Sequence, residues 1–192
     1  SVALVTDRGT PIISDPGYKT VKYISDNGYN VVALPGATAF VPALITSGIA
    51  PQPFLFYGFL DSKDSIRKKE LELLSDEVET MIFYEAPHRL LDTLKSMEKI
   101  FGKDRRACLG REISKLYEQY IRGTLEEIST IEEDFIRGEF VIIIEGKKEE
   151  DTELSEEDLI KLLQEELKKD QSLNDIAKNI SDTTGLRKNY LY

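Results

Sequence analysis

The opening stretch of the chain constrains its fold more than any other feature, because it combines an apolar run, a turn-rich loop and a helix start. Residues 2–5 (VALV) are rich in β-branched side chains and predict a buried strand. Residues 6–11 contain the glycine, proline and aspartate that are typical of a loop. Asp15 and Pro16 then fit the N-cap and the first position of a helix, which Gly28 is expected to end.

A second predicted strand completes a parallel unit. Residues 30–34 (NVVAL) follow the helix as a strand and run into a loop at 35–39 (PGATA). Strand, helix and strand in this order predict a right-handed βαβ crossover. Both loops then leave the carboxyl ends of neighbouring strands, the edge of an open α/β sheet where small ligands bind. Thr38 is expected to cap a further helix that ends near Ser47.

The first loop does not have the composition of a phosphate-binding loop. It lacks the G-x-x-x-x-G-K-[ST] pattern with its lysine, and it carries Asp7 and Asp15. Because carboxylates repel phosphate, these residues suit hydroxyl groups or a cation instead. An ordinary βα connection, in which glycine and proline only shape turns, is the alternative.

Beyond residue 50 the chain continues to alternate between strand and helix patterns. Two prolines in residues 49–53 (IAPQP) indicate a stiff connection into a second α/β unit. The predicted strands are residues 54–59, 81–84, 107–110, 118–121 and 140–145. The first predicted helix, residues 64–76, would bury Ile66, Leu73 and Leu74. The second, residues 87–101, has an apolar stripe of Leu90, Leu94, Met97 and Phe101. The third, residues 124–133, begins with a Thr124–Glu127 capping box. The run at 140–145 is almost entirely β-branched, so it is expected to be a central strand.

The C-terminal tail follows a charged linker at residues 147–152. Capping-box starts at Ser155 and Ser172 predict two short helices, and a third is expected over residues 186–192. The pattern is similar to a helix-turn-helix, but acidic residues outnumber basic ones from residue 151 onward, so DNA is not expected as a partner. The predicted domains are residues 1–50, 51–147 and 153–192.

Composition and charge exclude several classes of protein. The single cysteine, Cys108, argues against disulfides and for a reducing compartment, which predicts a cytoplasmic protein. Residues 31–50 carry no charge, but Pro35 and Pro42 interrupt them, so a membrane span is not expected. The net charge of −10 argues against a general nucleic-acid binder, although it permits docking on RNA through a local basic patch. No metal site is expected.

Five segments of the chain occur in an order that points to one known family. They are ALVTDRGTPIISDPGY, LPGATA, FYEAPHRLLDTL, GREISKLYEQYIRGTL and GEFVIIIEG. Together they resemble the ribosomal RNA small-subunit methyltransferase I family, which belongs to the tetrapyrrole-methylase (class III) S-adenosylmethionine-dependent methyltransferases. Each segment alone is a weak signal, whereas five in order are specific. Arg8 departs from the family, which usually has a small residue there.

The resemblance implies an α/β fold with two consecutive units of the tetrapyrrole-methylase type and a small helical appendage. The family's opening segment, with a strand, a Pro/Gly loop and helices, is absent from these 192 residues. The first unit is therefore expected to be truncated. The chain alone is also expected to form an incomplete methyl-donor cleft and to bind S-adenosylmethionine weakly. We further expect a homodimer.

The resemblance also assigns residues that would bind S-adenosylmethionine. Gly9, Thr10 and Pro11 match the family's G-[DT]-P turn, and Thr10 and Ile13 take its cofactor-contacting positions. The other matching residues are Thr38 and Ala39, in the Ser/Thr-Ala step after Pro-Gly, and Tyr84, at a strand end that faces the cofactor in relatives. Independent support comes from the two converging loops predicted above, which carry Thr10 and Thr38. For Tyr84 the alternative is a core aromatic residue.

Candidates for taking up the proton of the attacking hydroxyl are Asp15, Glu85, His88 and Glu112. His88 is the only histidine, the residue type most often used for proton transfer, although it could equally be a surface residue in the first turn of a helix. Glu112 and Lys115 belong to a run that the family shares, R-E-x-[TS]-K-x-x-E; the alternative is a solvated strand end. The residues predicted to be catalytic are Glu112, Lys115 and His88.

The favoured function is S-adenosylmethionine-dependent 2′-O-methylation of a cytidine ribose in small-subunit (16S) ribosomal RNA. Arg89 and Arg111 are the residues expected to contact the RNA, because they flank the strand ends nearest the proposed cleft. Two other functions stay open. One is methylation of a small tetrapyrrole, and the other is a non-catalytic ligand-sensing or helix-turn-helix module.

Overall fold

The computed structural model describes residues 1–7, 9–132, 135–148, 156–166, 168 and 173–184. The chain divides into two compact units, Ser1–Lys147 and Lys148–Tyr192, and each is described by itself. The division of the first unit at residue 50 stays a prediction. Among the described residues, no helix has both the length and the apolar character needed to cross a membrane.

The first unit alternates helices and strands. Its helices are α1 (Tyr18–Asp26), α2 (Phe40–Ser47), α3 (Asp64–Leu73), α4 (Leu90–Phe101) and α5 (Leu125–Ile128), with a 3₁₀ turn at Pro87–Arg89 before α4. Its strands are β1 (Phe54–Phe59), β2 (Thr80–Glu85), β3 (Arg106–Arg111), β4 (Gln119–Thr124) and β5 (Phe140–Ile144). The predicted mixed α/β class is confirmed.

The five strands form one sheet in the order β1-β2-β5-β3-β4. β1 and β2 are parallel, and every other neighbouring pair is antiparallel. β5 is buried at all five positions between β2 and β3, as expected for a β-branched strand with neighbours on both edges. The central position predicted for this segment is therefore confirmed.

Apolar residues cover both faces of the sheet. On one face, α3, α4 and α5 pack against Met81, Phe83 and Ile142 of the central strands. The predicted stripe of α4 supplies the helical side of this core, and Leu90, Leu94 and Met97 are fully buried there. On the other face, α2 packs through Ala43 and Leu44. The sheet is thus the middle layer of three, and its ends are left free for a site.

The two strands predicted before α2 are wrong. Residues 2–5 and 30–34 have no strand structure, and the described residues supply neither segment with a hydrogen-bonded partner strand. Their apolar side chains are exposed, for example Val2 at 95% and Leu34 at 82%. A β-branched run forms a strand only when a neighbouring strand accepts its backbone hydrogen bonds. The βαβ crossover predicted for residues 2–34 is therefore not formed.

Helix ends and faces also differ from the sequence predictions. α1 has Gly17 as its N-cap, and α2 has Ala39, in both cases without a side-chain cap, so neither Asp15 nor Thr38 caps a helix. The Thr124–Glu127 capping box is confirmed, although α5 ends at Ile128 rather than near residue 133.

The buried face predicted for the third helix is wrong at Ile66 and Leu73, whereas Leu74, directly after the helix, is half-buried and packs against the core. α3 buries Arg67 and Leu71, whereas Leu73 lies at its end with 87% of its surface exposed and Ile66 is also exposed. Arg67 tolerates burial because Asp64, one turn earlier, pairs with its guanidinium at 2.8 Å.

The second unit contains α6 (Glu156–Glu166) and α7 (Leu173–Thr184), which contact each other. α7 buries Ile176, Ala177 and Ile180, three members of the apolar stripe predicted for this helix. Ser155, Ser172 and the predicted third helix at 186–192 lie outside the described residues. The helix-turn-helix interpretation thus stays a prediction.

Candidate active site

A cleft of about 620 Å³ lies where β1, β2 and β3 end and β5 begins. One wall comes from the strand ends and the segment after β3, and the other from the two loops that precede α1 and α2. The lining residues are Gly9, Thr10, Ile13, Ser14, Asp15, Ala37, Thr38, Ala39, Phe59, Tyr84, Glu85, Ala86, Pro87, Ile113, Ser114, Lys115, Glu139, Phe140 and Val141. The volume lies within the range of about 300–1,000 Å³ that is usual for sites of small ligands and cofactors.

The two loops that the sequence places at this edge do meet. The Thr10 hydroxyl donates a hydrogen bond to the Ala37 carbonyl at 3.1 Å, although 27 residues separate the two positions. A side chain at Gly36 would approach the same hydroxyl to 3.1 Å, so glycine permits this close contact. Thr10 therefore joins the loops, while Thr38 lines the cleft and makes no capping bond.

Tyr84 is both a core aromatic residue and a cleft residue. Its ring packs edge-on against Phe56 and Phe59, with ring centroids 5.2 and 5.6 Å away. Burial raises the pKa of the phenol, and a hydrogen bond with the Phe40 backbone opposes that increase. The phenol consequently stays protonated at neutral pH and can act as a hydrogen-bond donor at the cleft wall.

Asp15 has an unused hydrogen-bond acceptor at the cleft. Its Oδ2 is inaccessible to solvent and has no partner among the described residues, and the residue lines the cleft. A buried carboxylate oxygen without a donor is unfavourable and uncommon. This arrangement suits a ligand that brings a hydroxyl or ammonium group to that oxygen.

Glu85 and Arg89 form a buried ion pair at the end of β2. Arg89 Nε lies 3.0 Å from Glu85 Oε1, and the two side chains are 18% and 1% exposed. The Thr93 hydroxyl donates to the same carboxylate at 2.6 Å, and Arg89 also donates to the Leu60 carbonyl at 2.8 Å. Its guanidinium is thus engaged with Glu85 and Leu60, and a contact of Arg89 with RNA stays a prediction.

Glu112 and Lys115 are held in a network with Glu139, which lies just before β5. Lys115 Nζ donates to Glu112 Oε1 at 2.8 Å and to Glu139 Oε2 at 2.9 Å. The Glu139 backbone N–H donates to Glu112 Oε1 at 2.9 Å, and the Glu112 N–H donates to the Glu139 carbonyl at 3.0 Å. We refer to these three residues as the Glu112 clamp.

The clamp fixes the charges of its members. The bond from Lys115, and then the Glu139 N–H, hold the pKa of Glu112 below its ordinary value. The bonds to Glu112 and then to Glu139 raise the pKa of Lys115. At neutral pH Glu112 is therefore a weak base, and Lys115 is an ammonium that lines the cleft.

The structure brings some of the sequence-predicted site residues together and leaves others aside. Those that line the cleft are Gly9, Thr10, Ile13, Thr38, Ala39, Tyr84 and Lys115. Pro11 and Glu112 are adjacent to it in sequence. His88 is exposed and lines a separate depression with Leu91, Asp92 and Ile136. Arg111 points towards the 135–137 segment, donating to the Arg137 carbonyl at 2.8 Å and lying over the Phe135 ring.

Glu139 is the charged cleft residue that the sequence prediction missed. It stands directly before the central strand, in the segment GEFVIIIEG. A charged residue at the start of an otherwise apolar central strand was the available signal, because strand ends at this edge of the sheet point towards the site.

Comparison with known proteins shows which class of protein has this fold and sequence. The chain is similar in structure to the uroporphyrin-III C-methyl transferase from Thermus thermophilus complexed with S-adenyl homocysteine, with a TM-score of 0.51 and 17% identity over 71% of this chain and 62% of that one. Residues 1–129 match the family model of Tetrapyrrole (Corrin/Porphyrin) Methylases. The chain belongs to the tetrapyrrole methylase family.

Two relatives narrow this class further. Both are named Ribosomal RNA small subunit methyltransferase I. The protein from Bacillus subtilis (strain 168) is 52% identical over 158 residues, covering 82% of this chain and 54% of the relative. The protein from Streptococcus pyogenes serotype M3 (strain ATCC BAA-595 / MGAS315) is 43% identical over all of this chain and 68% of its own length. Within the tetrapyrrole methylases, the chain is thus a member of the ribosomal RNA small subunit methyltransferase I family. It spans between about half and two thirds of the length of these two relatives.

Proposed function

We propose that the protein is an S-adenosylmethionine-dependent methyltransferase that methylates the 2′-hydroxyl of a cytidine ribose in small-subunit ribosomal RNA. The observation that carries the proposal is the cleft at the strand ends, walled by the Thr10 and Thr38 loops on one side and by Lys115 on the other. Family membership supplies the reaction class and the RNA substrate.

The residues that line the cleft are of the kind that would hold S-adenosylmethionine. The expectation that this chain alone binds it weakly stays a prediction. Its volume suits a cofactor of nucleoside size. The ring of Tyr84, the backbone of the 9–10 and 37–39 loops and the Thr38 hydroxyl would hold the donor. When bound there, S-adenosylmethionine would supply a methyl group already activated on a sulfonium.

The protein must then position the ribose oxygen and accept its proton. Of the four candidate acceptors, Glu85 is paired with Arg89, Glu112 is held in the clamp, and His88 lies outside the cleft. Asp15 retains a buried, unpartnered oxygen at the cleft. We therefore assign to Asp15 the uptake of the hydroxyl proton as the oxygen gains the methyl group. Lys115, held by the clamp, orients the substrate from the opposite wall.

A methyl-transfer assay tests the function. With tritium-labelled methyl donor, the complete protein should label assembled small subunits more strongly than naked ribosomal RNA. The reason is electrostatic, because a chain of net charge −10 has little general attraction for phosphate and must recognise a shaped site. Labelling of a precorrin-type tetrapyrrole without labelling of RNA would overturn the assignment, and labelling of neither would favour a non-catalytic module. Arg89 and Arg111 remain our proposed RNA contacts. A homodimer in the cytoplasm is also proposed.

Thr38→Val tests the donor site. Loss of one hydrogen bond should weaken S-adenosylmethionine binding by about 0.5–1.5 kcal/mol. The melting temperature without ligand should hardly change, because the hydroxyl makes no capping bond to α2. Calorimetry and thermal melts on the complete protein measure both quantities. Unchanged affinity together with a large loss of stability would show that Thr38 has a structural role only.

Glu112→Gln separates a positioning role from a general-base role. The lowered pKa of Glu112 means that its stabilising contribution is lost only as pH falls below its ordinary titration range, at about pH 4. The raised pKa of Lys115 means that its contribution is lost only as pH rises above about 10. Neither group therefore titrates near neutral pH. We expect Glu112→Gln to lower kcat about tenfold through misplacement of Lys115, without moving the acid limb of the pH–rate profile.

Asp15→Asn is the matched variant, and it should lower kcat more strongly than Glu112→Gln, by about 100-fold or more, because an amide cannot accept the hydroxyl proton. A larger loss in Glu112→Gln than in Asp15→Asn would reverse the two roles. The measurement is kcat of both variants on small subunits.

A further inference from the structure

The segment between β3 and β4 presents two exposed apolar side chains beside the cleft. Leu116 is 88% exposed and Tyr117 is 70% exposed. They directly follow Lys115, which lines the cleft, and neighbouring Cα atoms are only about 3.8 Å apart. Both residues therefore lie within about 8 Å of Lys115, Cα to Cα, and we call this pair the rim of the site.

This segment is held in place rather than loosely attached. Glu112 and Ser114 have positive φ angles of 49° and 64°. This backbone conformation is uncommon for residues other than glycine and persists where the surrounding structure enforces it. The Glu112 clamp fixes the beginning of the segment. Its far end is closed by the Ser114 N–H, which donates to Glu118 Oε2 at 2.6 Å, and by the Glu118 N–H, which donates to the Lys115 carbonyl at 3.1 Å. Leu116 and Tyr117 are thus displayed from a fixed turn.

The charges around this rim disfavour recognition through phosphate. Lys115 is the ammonium nearest to the two residues in sequence, and it is already paired with Glu112 and Glu139. The whole chain carries a net charge of −10. Part of the binding energy for RNA must then come from contacts that do not depend on counterion release, and stacking of a base on an aromatic ring is such a contact.

We propose that Tyr117 stacks on a nucleobase of the RNA substrate, with Leu116 packing beside it, and so positions the target ribose at the cleft. The proposal rests on the RNA methyltransferase function proposed above. Presenting a ribose to an enclosed site requires the nucleotide or its neighbour to leave its stack, and an exposed aromatic side chain at the rim replaces the lost stacking. Tyr117 is accordingly a specificity-determining residue and not a proton carrier.

Tyr117→Ala in the complete protein tests the proposal. We expect affinity for small ribosomal subunits, measured by co-sedimentation, to fall about 5- to 100-fold, as for loss of one base–aromatic stack. KM for subunits should rise by a similar factor, while S-adenosylmethionine affinity stays unchanged. Tyr117→Phe should restore binding because it retains the ring. The slope of log affinity against log salt should stay the same, since no phosphate contact is removed.

Leu116→Ala and Leu73→Ala form a matched pair. Leu73 is equally exposed, at 87%, but lies at the end of α3, where neither of its neighbours in sequence lines the cleft. Only Leu116→Ala should weaken subunit binding. Equal subunit affinity for wild type and Tyr117→Ala would overturn the stacking proposal, and so would a change of the Tyr117→Ala protein from dimer to monomer at unchanged subunit affinity, which would identify the rim as a contact between copies.

The same measurements distinguish a failure of the stacking proposal from a failure of the proposed methyltransferase function. If the wild type binds subunits but transfers no methyl group to them, the proposed function fails and the stacking proposal is decided by the binding data alone. If the wild type neither binds nor methylates subunits, both proposals are overturned.

Discussion

Replacing Glu85 with alanine is expected to destabilise the first unit by about 3 kcal/mol, the usual result of leaving one member of a buried ion pair without its partner. The carboxylate is 1% exposed and accepts bonds from Arg89, the Thr93 hydroxyl and the Ala86 N–H. Alanine would leave all three donors unsatisfied inside the protein. Chemical denaturation, with the unfolding midpoint and slope recorded together, measures the loss.

The pair Lys22–Asp26 is the matched control. It has the same i,i+4 spacing, and its N–O distance is 2.6 Å, but both side chains are more than half exposed. Asp26→Ala should therefore cost only about 0.3–0.5 kcal/mol. A double variant, Glu85→Leu with Arg89→Met, should recover part of the loss because no unpaired charge stays buried. Equal losses for Glu85→Ala and Asp26→Ala would contradict the buried ion pair.

The elements that the sequence predicted well are those whose signal is local. The stripe Leu90, Leu94, Met97 and Phe101 is buried in α4 because all four residues fall on one face of a helix. The Thr124–Glu127 capping box lies within a single turn. In each case neighbouring residues alone determine the geometry, so the pattern is sufficient.

The errors arise where a distant partner decides the outcome. The β-branched runs at 2–5 and 30–34 have the composition of strands, but composition cannot supply the neighbouring strand that pairs with them. Missing strand partners thus override local preference in these two segments. The error in α3 has a different source, because the pairing of Arg67 with Asp64 one turn earlier lets a charged residue take a core position while Leu73 is exposed.

The candidate site shows the same limit. The bonds that assemble it join Thr10 to Ala37 and Lys115 to Glu139, across 27 and 24 residues. No spacing rule links such positions. The family resemblance indicated Thr10 and Lys115 one by one, but the contact that explains Lys115 could be found only in the folded chain. Whether the indicated residues bind cofactor or RNA stays a prediction.

Gly138→Ala is expected to damage the cleft wall, and Gly102→Ala is its control. Both glycines have positive φ angles, 90° and 96°. An alanine at either position should therefore destabilise the protein by about 1 kcal/mol through backbone strain alone. At Gly102 nothing lies within 4 Å of an added Cβ, whereas at Gly138 the added atom would collide with the Glu112 carboxyl group. Glu112 cannot yield without giving up its bonds to Lys115 and to the Glu139 N–H.

The free energy of unfolding should therefore fall by about 1–3 kcal/mol more in Gly138→Ala than in Gly102→Ala, which is the range for overpacking a well-filled site. Because the clamp positions Lys115, methyl transfer to small subunits should also fall by about 10- to 100-fold in Gly138→Ala and stay near wild type in Gly102→Ala. Denaturation curves and transfer rates for the two proteins give the comparison. If the two substitutions prove equal in both measurements, Glu112 is free to move aside, and the clamp does not hold the cleft wall in place.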